Sequence, residues 1–63
     1  MSKVVKCDPS LLQLGDQVIM ANKTWTLQSV LGPDRIGTYD LFLSDNEGHH
    51  TTTITTEPVI IIM

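Results

Sequence analysis

The amino-acid sequence predicts an all-β fold, a small barrel of five to six short strands with one helical or 3-10 turn. Three observations carry that expectation. Apolar and polar residues alternate with a period of two over 17–20, 24–29 and 39–44, the signature of a half-buried strand. Turn residues recur every 8 to 12 or so positions, as in small barrels. No window of helical length carries a 3.6-residue period. Sixty-three residues form one domain over 1–63, and a chain this short buries a small core, so folds of its size often lean on disulfides, metals or self-association.

Each element has a local cause. Val4 and Val5 open a stretch of good β propensity, and Asp8-Pro9-Ser10 ends it because proline cannot donate to a strand ladder. Asp8 followed by Pro9 also reads as an N-cap and first helical position, so Pro9 to Leu14 is expected to form a helical or 3-10 turn that sets Leu11 and Leu14 on the core. Gly15-Asp16 then reverses the chain. From Gln17, Val18 and Met20 share one face and Gln17 and Ile19 the other, with Asn22-Lys23 as the expected hairpin turn, because asparagine tolerates a left-handed backbone.

In the next strand Trp25 and Leu27 face inward, and Val30-Leu31 breaks the alternation, which predicts a bulge or bend there. Gly32 to Thr38, with glycine at 32 and 37 and Pro33 early, is a loop with Ile36 near its tip. Tyr39, Leu41 and Leu43 then alternate with Asp40, Phe42 and Ser44. After a turn at Asp45 to Gly48, His49 to Thr56 is a threonine-rich strand with Ile54 as its one aliphatic anchor. Glu57-Pro58 interrupts it, and Val59 to Met63 is a continuous apolar run. Such a run is either a strand covered on both sides or a sticky edge that contacts another chain.

Composition narrows the function classes. Four Lys and Arg against seven Asp and Glu give a formal charge of −3, the wrong sign for non-specific binding to a phosphate backbone. The single cysteine, Cys7, excludes an intramolecular disulfide and suits a reducing cytosol. With neither a signal-peptide pattern nor an apolar run near the 20 or so residues of a membrane span, the expected location is cytoplasmic.

Leu11-Leu12-Gln13-Leu14-Gly15-Asp16-Gln17-Val18, followed by a polar turn and Trp25-Thr26-Leu27-Gln28-Ser29-Val30, resembles the L-x-x-G-D-x-V entry strand of several small barrels, including SH3-like and Hint-like modules. The longer run that includes Gly32-Pro33-Asp34-Arg35-Ile36-Gly37-Thr38-Tyr39-Asp40-Leu41 resembles small uncharacterised proteins of actinobacteriophages, over about two-thirds of the chain. The resemblance implies a phage accessory or host-interaction protein acting in a bacterial cytoplasm and brings no defined activity. A Hint-type protease reading does not follow, because Cys7 precedes the opening strand and no Thr-x-x-His block is present.

The reactive side chains do not assemble into a site at the level of sequence. His49 and His50, with Cys7, Asp45 or Glu47, are the only candidate zinc ligands, yet neighbours on a strand point to opposite faces and no C-x-x-C or H-x-x-x-H spacing supplies partners. No metal or cofactor is therefore expected. Nucleophilic catalysis needs an activated and oriented nucleophile in a dry pocket, which a barrel of this size barely accommodates, so no enzyme activity or small-molecule substrate is expected. Two binding readings follow. Protein contact or self-association rests on apolar residues beyond a minimal core: Ile19, Ile36, Phe42, and the tail Val59, Ile60, Ile61 and Ile62. Nucleic-acid binding would use Trp25, Tyr39 and Phe42 for stacking and requires Lys3, Lys6, Lys23 and Arg35 to converge on one face.

Overall fold

The computed structural model describes residues 3–63. Six strands, β1 (Val4–Cys7), β2 (Gln17–Met20), β3 (Lys23–Leu31), β4 (Tyr39–Ser44), β5 (His50–Thr55) and β6 (Val59–Ile62), form one antiparallel sheet in the order β1-β6-β2-β3-β4-β5. A single 3-10 turn, Pro9–Leu11, follows β1. The all-β expectation, with six strands and one short helical turn, is borne out. The sheet curls so that Val18, Leu27, Leu41, Leu43 and Ile61, with Leu12 from the loop after the 3-10 turn, meet in one buried cluster. Val5, Cys7, Met20, Trp25, Val30, Tyr39 and Val59 pack around it, half-buried.

The 3-10 turn is capped as its sequence predicts. The Asp8 carboxylate accepts hydrogen bonds from the Ser10 backbone N–H and hydroxyl, at 2.9 and 2.7 Å, and Pro9 occupies the first turn with no N–H to satisfy. The turn is one residue triplet long, however, and does not continue to Leu14. Leu12 is already extended (φ −68°, ψ 142°), which swings its side chain onto the core, while Leu11 and Leu14 stay exposed. The expectation that Leu11 and Leu14 would be buried is thereby corrected. The reversal at Gly15-Asp16 is sewn to β3: the Gly15 N–H donates to the Leu27 carbonyl and the Leu27 N–H to the Asp16 carbonyl.

The β2–β3 hairpin turns at Ala21-Asn22, one residue earlier than expected. Both residues have positive φ, 53° and 59°, the left-handed pair that a two-residue type I′ turn requires. Lys23 is thereby released into β3, opposite Met20. The bulge is also displaced. Leu27 pairs with Leu43 and Ser29 with Phe42, leaving Gln28 as the extra residue on β3. The broken alternation at Val30-Leu31 is the downstream effect, since a bulge at Gln28 flips the phase and turns Val30 inward.

Ile54 is not an anchor. It is 70% exposed, and the inward face of β5 is Thr51, Thr53 and Thr55, opposite Leu43, Leu41 and Tyr39. The apolar tail is not an edge strand either: β6 is hydrogen-bonded to β1 on one side and β2 on the other. The sheet edges are β1 and β5.

Candidate functional site

A strand between two partners exposes only its faces, and period-two geometry assigns them. Val59 and Ile61 point to the core, and Ile60 and Ile62 point to the outer face. Register then fixes their neighbours: Ile60 lies between Lys6 and Ile19, and Ile62 between Val4 and Gln17. Val4, Ile60, Ile62 and Ile19 therefore make a continuous aliphatic strip across β1, β6 and β2, with Lys6 at its side. The outer positions of these three strands carry no acidic residue. Of the residues singled out from the sequence, Ile19, Ile60 and Ile62 are brought together. Ile61 is buried in the core and Val59 packs half-buried against it, so both lie on the face opposite the strip. Ile36 stands alone at the loop tip, and Phe42 lies on the outer face of β4 between Ser29 and Thr52. Val4, 58% exposed, was legible only as one of two valines, and register is what selects it as the outer one.

Beside β1, Val5, Lys6, Cys7, Leu11, Gln13, Ile61, Ile62 and Met63 line a groove of about 540 Å³ that also reaches Asp8 and Asp16. Leu11 and Met63 on its walls are largely exposed. Both acids are engaged by the local backbone, Asp8 by Ser10 as described and Asp16 by the Gln13 N–H at 2.9 Å. The Ser10 N–H and then its hydroxyl hold the Asp8 carboxyl below its ordinary range. The Cys7 thiol is pushed up by burial first, and then by Asp16 and Asp8, so the group in the groove at neutral pH is a thiol.

Among the described side chains, that of Asp45 has the most polar partners. Asp45 ends β4 with no side-chain exposure; one carboxylate oxygen accepts the Glu47 and His49 N–H groups at 2.9 and 2.8 Å, and the other meets the Lys23 ammonium and His49 Nδ1. Lys23 first, against the cost of burial, and then His49 and Glu47 hold the Asp45 carboxyl well below the usual carboxylate range. Lys23 also sits over the Trp25 ring, 4.8 Å from its centroid. The sequence offered Asp45 as a turn residue or metal ligand and gave no signal for this pairing, because Lys23 lies 22 positions away (45 minus 23). Among the described residues no three His, Cys, Asp or Glu side chains are grouped to hold a metal ion.

The four basic residues do not converge. Lys6 is on the β1 edge with Lys3 just before it, Lys23 is committed to Asp45, and Arg35 lies in the 32–38 loop. Lys23 and Arg35 flank opposite ends of the nine-residue β3, which at about 3.3 Å per residue separates them by much of the molecule. No helix among the described residues is long and apolar enough to cross a membrane. No protein-family model matches the chain, and no curated protein or solved structure is significantly similar to it.

Proposed function

We propose that this chain is a non-enzymatic protein-interaction module, a phage accessory protein that works in the bacterial cytoplasm by contacting a host or phage protein or copies of itself. The observation that carries the reading is the outer-face strip of Val4, Ile60, Ile62 and Ile19, with Val4 and Ile60 exposed and Ile62 and Ile19 half-buried, on strands whose other faces already supply the core. Isolated exposed aliphatics are ordinary, whereas a contiguous strip on a sheet face is a recurrent mark of contact surfaces. The resemblance of the Gly32 to Leu41 run to actinobacteriophage proteins supports the setting, and the lone cysteine supports a reducing compartment. The SH3-like pattern of the opening strand supports a binding role, since small barrels present their surfaces rather than an enclosed pocket.

The test is affinity capture from lysate of infected and uninfected bacteria, with and without nuclease, using the wild-type chain and Ile60→Lys, alongside light scattering over a dilution series. The reading expects a nuclease-resistant partner, or a concentration-dependent mass, that Ile60→Lys diminishes. A monomer at every concentration that captures nothing beyond nuclease-sensitive material sinks it.

A further inference from the structure

The β5 edge has a hydrogen-bonding polarity fixed by the turn that precedes it. The Asp45 N–H donates to the His49 carbonyl at 3.0 Å, and the two residues stand opposite each other by continuation of the Ser44–His50 register, so they form a bonded antiparallel pair. Such pairs alternate along a ladder, which makes Leu43 with Thr51, Leu41 with Thr53 and Tyr39 with Thr55 the bonded ones. His50, Thr52 and Ile54 therefore aim their N–H and C=O groups away from β4, along the open side of the sheet.

This strand lacks the devices that keep edges apart. His50–Thr55 contains no Lys, Arg, Asp, Glu, Pro or Gly, is β-branched from Thr51 to Thr55, and pairs with β4 without a register shift. The other edge, β1, sets Lys6 among its residues. On the outer face, His50 and Thr52 wall a pocket of about 240 Å³ whose far side is Gln28 and Phe42. Ile54 projects from the same face of β5 and is 70% exposed.

A second copy of β5 answers each of these features. A two-fold axis through Thr52, perpendicular to the sheet, sets Thr52 against the partner's Thr52 and His50 against the partner's Ile54, and every outward N–H and C=O of the strand is then paired. The partner's Ile54 comes to lie beside the His50 and Thr52 wall of the pocket, and Ile54 does the same in return. On the inner face Thr51 meets the partner's Thr53, a favourable cross-strand pair, and no like charges face each other. The pocket and the side chain that reaches it belong to one strand, which favours a second copy over a foreign segment. The fully buried cluster is also small and Cys7 is unpaired, circumstances in which self-association commonly adds stability.

Resting on the protein-interaction reading, and specifying the contact between copies within it, we propose that β5 pairs antiparallel with β5 of a second copy and joins two six-stranded sheets into one. The aliphatic strip on β1, β6 and β2 takes no part in this contact.

The test is sedimentation velocity on the full chain from about 1 μM to 1 mM. The wild type should pass from monomer to dimer over this range. Because Thr52 meets itself on the axis, Thr52→Lys and Thr52→Glu should each weaken the dimer about tenfold or more, and an equimolar mixture of the two should restore it. Misfolded variants do not give that restoration. Ile60→Lys should leave the dimer unchanged. A wild type still monomeric at the highest concentration, a dimer that both Thr52 variants retain, or a mixture no heavier than its components overturns the proposal. If the wild type stays monomeric yet captures a nuclease-resistant partner that Ile60→Lys loses, only the β5 assignment fails; if it neither dimerises nor captures, the broader reading fails with it.

Discussion

The Lys23 ammonium, at the first residue of β3, meets the fully buried carboxylate of Asp45, one residue past the end of β4. This pair ties the start of one hairpin to the turn of the next. It also contributes to the acid stability of the fold. Asp45 has a folded-state pKa below its unfolded value of about 3.9, so its contribution is fully present above that value and is lost as pH falls through the depressed one. Acid unfolding should therefore begin below about pH 5 and continue beneath the ordinary carboxylate range. Asp45→Asn should lower Tm at pH 7 by about 5 °C or more and flatten this acid limb, as followed by circular dichroism from pH 7 to 2.

The Ala21-Asn22 turn makes a second prediction. Ala21 holds a left-handed backbone at φ 53°, which costs an L-residue with no side-chain hydrogen bond about 1 kcal/mol. Ala21→Asn should therefore stabilise the domain by about 0.5 kcal/mol in urea unfolding. A neutral or destabilising result would move the turn back to Asn22-Lys23.

Gly32 and Gly15 should respond differently to alanine. Both have positive φ, but a Cβ on Gly32 would stand 2.7 Å from the Thr38 carbonyl oxygen, whereas one on Gly15 meets nothing within 4 Å. Gly15→Ala should cost about 1 kcal/mol from backbone strain alone. Gly32→Ala adds a backbone clash and should cost about 2 kcal/mol or more, read from the shift in the urea midpoint.

Cys7 should be a sluggish thiol. Its reaction with a disulfide reagent should show a pH midpoint above that of a free cysteine, about 8.5, since burial and the flanking Asp16 and Asp8 disfavour the thiolate. Asp16→Asn should bring the midpoint down. A midpoint at or below the free-cysteine value would place Cys7 in a different environment.

Much of the fold was legible because its causes are local. Asp8-Pro9 specified its cap, and the alternation of Val18, Met20, Trp25, Leu27, Leu41 and Leu43 specified the inward face, with no long-range information required. What the sequence left open depends on register. The phase flip at Gln28 is invisible until Leu27 and Ser29 are matched to Leu43 and Phe42, and only its echo at Val30-Leu31 can be read directly. The same holds for Val59 to Met63, where an apolar run states that both faces and edges need cover but not which strands provide it. For the candidate surface, Ile19, Ile60 and Ile62 could be named from their apolar character, whereas Val4 and Lys6 became part of it only through cross-strand pairing. Leu11, Leu14 and Ile54 show the converse, as hydrophobic side chains whose position in a turn or on a strand face outweighs their chemistry.

Because β1 pairs with β6 alone, its order is conditional on β6 being seated between it and β2. Native-state hydrogen exchange should accordingly never find the β1 amides better protected than those of β6, and the two strands should open as one cooperative unit while the β2–β5 meander persists.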